Sequence, residues 1–175
     1  SQIGSLGETH LIDFIWQEEI ENTQYGIQKG AFLKIVAEKQ ADQLLSGVST
    51  ADFDPANISM ADELKKAGFI KAEQQKIYFT HDLYSDWARY QLLLAHSEDL
   101  ASFLTSKSLL SPLWMKAIRL FGLNLLEKDL SGGKWEKTFT SFNGSSSQQI
   151  IIQNLLLESF FLSPNAYEIL SKQKD

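Results

Sequence analysis

Three histidines and no cysteine limit the chemistry open to this 175-residue chain. His10 and His96 fall near the ends of helical segments, where an imidazole ordinarily caps the helix or faces water. No two histidines stand at i, i+4 and no HExxH occurs, so a zincin-type site is excluded, and the lack of thiolates excludes a cysteine zinc site. Gly132-Gly133-Lys134 has the look of a phosphate loop, but that loop needs a glycine where Lys128 stands and Ser or Thr where Trp135 stands. It reads as a turn. The carboxylate pairs Glu18/Glu19 and Asp62/Glu63 read as solvated helical faces, not as a glycosidase couple. Trp16, Trp87, Trp114 and Trp135 each fall in an apolar helical stripe, which predicts burial. No nucleophile with a base, and no metal set, can be assembled, so no catalytic residue is expected in this stretch.

One segment stands out: Ile77-Tyr78-Phe79-Thr80-His81-Asp82-Leu83-Tyr84-Ser85-Asp86-Trp87-Ala88-Arg89. Here a strand delivers His81 and Asp82 onto the start of a helix, where backbone N–H groups are free and the dipole favours an anion. Asp82 is accounted for by the dipole or by capping. His81 has no such local explanation, and an imidazole there can donate to a phosphate oxygen.

The elements that must hold this segment follow from periodicity. Residues 8–24 read as an amphipathic helix, with Leu11, Ile12, Ile15 and Trp16 inward, Glu18, Glu19 and Glu21 outward, and Gly26 as its end. A second helix is expected over 28–46, on the stripe Leu33, Val36, Ala37, Ala41 and Leu44, with Gly47 as its cap. The stretch 48–58 reads as a loop. Ser59 and Asp62 form a capping pattern for a short helix that Gly68 closes. Two short strands, around Phe69-Ile70 and Ile77-Tyr78-Phe79, flank a turn at 72–75, and Thr80 is placed to cap the next helix, striped by Leu83, Trp87, Tyr90 and Leu94. Helix, helix, short helix, hairpin, helix is the order of a winged-helix domain, assigned to residues 1–96.

Residues 97–175 read as wholly helical, with segments near 98–105, 112–127, 134–142 and 148–162, and with Pro112 and Pro164 suited to first turns. Short polar turns between them suggest a repeat-like array or an irregular bundle. The fold class is therefore mainly α, and the array is expected to continue beyond this stretch. The first residue is Ser1 and not Met, so a piece of a longer chain is expected.

Charge narrows the partners. The formal net charge is −6, and it lies wholly in residues 1–96, which carry 8 basic and 14 acidic side chains, while 97–175 carry 8 of each. Duplex DNA requires clustered Lys and Arg to neutralise phosphates, and no such cluster exists, so nucleic acid is not an expected partner. The apolar run 150–162 is broken by Gln153, Asn154 and Glu158, so no membrane span is expected, and no secretory signal opens the sequence. The absence of cysteine fits a reducing, cytoplasmic setting.

The segment Phe79-Thr80-His81-Asp82-Leu83-Tyr84-Ser85-Asp86-Trp87-Ala88 resembles the MHD motif that closes the winged helix of STAND ATPases, the NB-ARC and NACHT-like signalling NTPases, and the bacterial members most. Leu11-Ile12-Asp13-Phe14-Ile15-Trp16 loosely matches their opening helix. The likeness covers roughly residues 8–96, with Thr80 in place of the usual Met, and Walker A, Walker B and sensor arginine motifs are absent from these residues. The resemblance implies that the winged helix packs on the nucleotide-binding domain of the same chain and holds an ADP-bound off state. It implies that His81 senses the nucleotide phosphate and Asp82 braces the loop. ADP or ATP with Mg would belong to the parent protein and no cofactor to this stretch. Exchange for ATP would permit oligomerisation, and the helical region would relay the sensing of a protein ligand, in bacterial relatives a viral protein, which points to antiviral defence. The alternative is a winged-helix transcriptional regulator with a helical dimerisation or effector domain, whose recognition helix would be 59–67. A helical scaffold without any nucleotide connection is the third reading.

Overall fold

In the computed structural model, which describes residues 7–107 and 110–172, the chain is mainly helical with one small antiparallel sheet. Ser1 and the last residues of the 97–175 segment lie outside the described residues. Helix α1 (Glu8–Trp16) runs on into a π-helical turn, Gln17–Glu21, and α2 spans Gly26–Gln43. Gly26 therefore opens the second helix; it does not close the first. The reason is backbone proximity: a Cβ at Gly26 would sit 2.5 Å from the carbonyl carbon of Glu21, so the tight joint behind the π turn admits only glycine. At the other end Leu44, at φ 51°, closes α2, and its successor Leu45 donates to Gln40 O at 3.0 Å. Gly47 is not that cap. It lies against the ring of Tyr78, 2.5 Å from where its Cβ would be, and lets β1 approach the sheet.

The stretch expected as a loop holds structure: β1 (Val48–Ser49), a 3-10 turn (Thr50–Asp52) and the start of α3 (Pro55–Lys66). Asp54 caps α3 by accepting from Asn57 N at 2.8 Å, and Pro55 occupies the first turn, so Ser59 is an interior residue and not the cap. Gly68 closes α3 as expected. Its φ of 84°, with Gly68 N donating to Lys65 O and Phe69 N to Leu64 O, forms a Schellman motif.

Strands β2 (Ile70–Glu73) and β3 (Lys76–Phe79) form the hairpin, and β1 adds to it in the order β1-β3-β2. The two-residue turn places Gln74 and Gln75 at φ 49° and 59°, the left-handed pair that Asn-Gly adopts at lower cost. The double substitution Gln74→Asn/Gln75→Gly is expected to stabilise the protein by about 1 kcal/mol. Calorimetry should register this as a rise of roughly 2–4 °C in Tm.

Helix α4 (Asp82–Ala95) follows, then α5 (Leu100–Thr105), a 3-10 turn (Pro112–Trp114), α6 (Met115–Lys128), α7 (Gly133–Thr140), α8 (Ser147–Leu162) and α9 (Ala166–Lys172). Pro112 does open a helical turn, whereas Pro164 lies in the turn ahead of α9. Two main cores result. Trp16, Phe32, Leu33, Val36, Leu64, Ile70 and Ile77 fill the first, between α1, α2, α3 and the sheet. The second centres on α6, which packs between α4 and α8 and also meets α1, with Trp114, Phe121, Phe142, Leu155 and Leu156 inside it. Ile12, Ala41, Tyr90 and Leu93 belong to this second core, so α1, α2 and α4 serve both.

The inward stripe of α4 differs from the expected one. Ser85, Ala88, Arg89, Tyr90 and Leu93 are buried, Trp87 and Leu94 are half-buried, and Leu83 faces outward. On α1, Ile12 and Trp16 are buried, but Leu11 and Phe14 are exposed. Of the remaining tryptophans, Trp114 is buried and Trp135 half-buried.

Candidate functional site

The junction between β3 and α4 is held by the residue before His81. Thr80 does not cap α4. Its N–H donates to Phe69 O at 3.0 Å and its hydroxyl to Gly68 O at 2.6 Å, which ties the end of β3 to the corner between α3 and β2. His81 is the N-cap residue, extended at φ −141° and ψ 138°, and its carbonyl accepts from Tyr84 N at 3.1 Å. The imidazole and the Asp82 carboxylate are both exposed. An aromatic row supports the imidazole from below: His81 meets the edge of Tyr84 (6.2 Å between centroids), and Tyr84 in turn packs on Phe69 (4.9 Å) and Trp87 (5.9 Å). Asp82 accepts at its backbone carbonyl, from Ser85 Oγ at 2.7 Å. The two residues thus sit together, outward, at the positive end of a fourteen-residue helix.

What fixes that helix is a buried guanidinium. Arg89 is 1% exposed. Its Nη2 donates to Asp86 Oδ1 at 2.8 Å and Ser85 Oγ at 3.0 Å, and Nη1 donates to Gln40 Oε1 at 3.2 Å on α2. Asp86 reaches onward through Oδ2 to Lys116 Nζ at 3.1 Å on α6. Burial pushes the guanidinium below its usual range, the Asp86 hydrogen bond opposes that, and a guanidinium stays charged in either case. Arg89 Nε finds no partner. Sequence reading missed this role, although Asp86 and Arg89 stand at i, i+3, the spacing of a helical ion pair.

Two polar seams join the second core to α1 and α2. Across α1, α4 and α6, the Glu127 carboxylate accepts from the Thr9 hydroxyl and lies 3.2 Å from His10 Nδ1. Asn124 Nδ2 donates to Thr9 Oγ1 at 3.2 Å, and Asp13 takes Gln91 Nε2 at 2.9 Å and Lys128 Nζ at 3.2 Å. Between α2 and the segment after α5, Lys107 pairs with Glu38 and with Asp42 Oδ2 (2.8 Å), lies 4.4 Å over the Phe103 ring, and shares Asp42 with Trp114 Nε1 (3.1 Å). His96 stacks on Phe103 at 4.0 Å and its Nδ1 is 3.0 Å from Asp99 Oδ1. His10 and His96 thus have structural partners near helix ends.

Tyr90 stands inside the first seam, fully buried, with no hydrogen bond of good geometry to its hydroxyl. Burial first, and then the negative charge of Asp13, raises the phenol above its ordinary value. The unfolded chain therefore ionises first. The contribution of Tyr90 is full below about pH 10 and is lost as pH rises past that point. Tyr90→Phe is expected to flatten this alkaline decline and to leave stability at neutral pH within about 1 kcal/mol of the original. Urea unfolding of both proteins at about pH 7 and about pH 10.5 measures it.

The other sequence candidates are accounted for locally. Of Gly132-Gly133-Lys134 only Gly132 lies outside a helix, as the N-cap of α7, and Gly133 and Lys134 open that helix, so the tripeptide is not the turn expected. Asp129 accepts from Ser131 N at 3.0 Å and Lys134 N at 2.9 Å, so a carboxylate occupies the amides that a phosphate loop would offer. The Ser131 hydroxyl bond, then those amides, hold the Asp129 carboxyl below its usual range. Glu18 and Glu19 are exposed, and Glu63 pairs with Lys66 at 2.7 Å. Among the described residues no group of three or more His, Asp or Glu could hold a metal ion, and no helix is long and apolar enough to cross a membrane. Compared with known proteins, the chain matches no family model, no curated protein and no solved structure.

Proposed function

We propose that this chain is the regulatory winged-helix and helical sensor portion of a STAND-type signalling NTPase, without catalysis of its own. The observation that carries the reading is the presentation of His81 and Asp82, exposed and side by side, where the wing β2–β3 enters α4. In the parent protein His81 donates to the terminal phosphate of bound ADP, helped by the dipole of α4. ADP, or ATP with Mg, is held by a nucleotide-binding domain of the same chain. The winged helix keeps the ADP state closed, and ATP exchange releases it and permits oligomerisation in the cytoplasm.

Three features support docking on protein. Residues 1–96 carry the whole net negative charge. Their outer surface offers apolar groups, with Leu11, Phe14 and Ile27 at 55%, 60% and 82% exposure. On α3, the helix a DNA-binding relative would insert, Lys66 is neutralised by Glu63 and Asp62 is exposed beside Lys65, which leaves little attraction for phosphates. The helical region beyond α4 relays the binding of a protein ligand, such as a viral protein in antiviral defence, through the Lys107 and Glu127 seams.

Sedimentation of the full-length protein tests this. It is expected to be monomeric with ADP and oligomeric with a non-hydrolysable ATP analogue, with His81→Ala assembling even in ADP. A full-length protein that binds neither nucleotide sinks the reading, and salt-sensitive retardation of duplex DNA by this fragment would favour the transcriptional regulator instead.

A further inference from the structure

A groove of about 440 Å³ lies between α7, the C-terminal half of α8 and α9, and includes no residue of the β3–α4 junction. That volume lies in the ~300–1,000 Å³ range of small-molecule sites. Four aromatic rings line it, each set at a different tilt to the next. Trp135 stacks on Phe139 at 5.1 Å and 13° and crosses Phe160 at 5.1 Å and 50°, and Phe160 meets Phe161 edge-on at 6.1 Å. The wall they make is therefore curved. Phe161 is 77% exposed, so its ring is open to a ligand, and Leu157, Ile169 and Leu170 complete the apolar lining.

The polar groups of the lining give the sign of the ligand. Trp135 Nε1 donates to Leu156 O at 3.2 Å and the Thr140 hydroxyl donates to Glu136 O at 2.9 Å, so an anion would find no free side-chain donor. The unengaged polar side chain is Glu136, whose carboxylate has no hydrogen bond or ion pair among the described residues and is the only ionisable group in the lining. The helix ends agree in sign. Leu157, Phe160 and Phe161 stand in the last turns of α8, the negative end of its dipole, whereas Asp129 already occupies the positive end of α7 through Lys134 N at 2.9 Å. Neighbouring charges do not reverse the count: Glu158 is paired with Arg119, and Lys134 and Lys137 line a separate cleft on the other side of α7, Lys134 beside Asp129. Ring faces attract cations through their quadrupole, and aromatic cages are how quaternary ammonium groups are held. We propose that this groove binds a small organic cation, a quaternary ammonium or protonated amine, with its charge against the Glu136 carboxylate and the ring faces and its alkyl or aromatic body on Leu157, Ile169 and Leu170. The site stands on α7, α8 and α9 alone, independent of any role of His81.

The probe is benzyltrimethylammonium, titrated into the full chain while amide chemical shifts are followed. Saturable shifts are expected at residues 132–140 and 157–170, and benzenesulfonate, of similar size and opposite charge, should bind about tenfold more weakly. Glu136→Gln should weaken binding of the cation about threefold, and Phe161→Leu, which keeps apolar bulk but removes a ring face, about as much. Both positions are exposed, so the fold is retained, and the double variant should bind about tenfold more weakly. An affinity indifferent to ligand charge would mark the groove as a packing surface for another helix. Concentration-dependent broadening of the same amides without ligand would give it to a second copy of the chain. Either result overturns the proposal, as does the absence of saturable shifts there or an affinity unchanged in the double variant.

Discussion

Arg89→Ala is expected to destabilise the protein by about 3 kcal/mol, the lower end of the ~3–5 kcal/mol range for removing one member of a buried ion pair. The lower end applies because Asp86 keeps Lys116 as a second partner at 3.1 Å. The loss has two parts. Gln40 and Ser85 lose their donor, and the volume of one of the largest fully buried side chains is left empty between α2 and α4. Arg89→Met restores most of that volume without the charge and is expected to cost roughly half as much. Urea denaturation midpoints measure both. A change within about 0.5 kcal/mol for Arg89→Ala would mean that the guanidinium does not organise α4. The consequence reaches the site, because α4 carries His81 and Asp82 at one end and enters both cores with its middle.

Gly122→Ala should be comparably damaging, about 3 kcal/mol, at the upper end for inserting volume into a packed core. Gly122 is a point of close approach between α6 and α8: an added Cβ would lie 2.8 Å from Ser159 Cβ and closer still to its hydroxyl. Ser159 cannot turn away freely, since its hydroxyl is buried and donates to Leu156 O at 2.6 Å. Removing the obstacle in the double variant Gly122→Ala/Ser159→Gly is expected to recover most of the loss, despite about 1 kcal/mol for a glycine within α8. Additive losses in that double variant would show that the two residues do not share one contact.

What the sequence disclosed depended on whether a signal was local. Gly68 was readable as a helix end because a left-handed Schellman position favours one residue type. The start of α3 was not, because Asp54, Pro55 and Asn57 are equally the residues of a loop and of an N-cap. The joint at Gly26 was misread for another reason: its glycine answers a close backbone approach created by the π turn, which no spacing reports. Periodicity found a helix from Glu8 and another following Thr80, but not the π turn at 17–21 nor which apolar residues are covered, so Leu11 and Leu83 read as inward although both are exposed. Arg89 lay in the segment that drew attention, yet a charged side chain in a helix reads as solvated until α2 is seen to cover it. The Thr9–Glu127 and Lys107–Asp42 contacts join residues 118 and 65 positions apart, and no local pattern encodes them.

The central claim is that His81 senses a nucleotide phosphate in the parent protein. Its most direct test is the rate at which the full-length protein releases a fluorescent ADP analogue when chased with unlabelled ADP, compared between the wild type and His81→Ala. Loss of one hydrogen bond to a charged phosphate, worth about 1.5–3 kcal/mol, predicts release roughly 10- to 100-fold faster, with an unchanged melting temperature of the nucleotide-free protein. Release within about twofold of the wild-type rate would contradict the assignment.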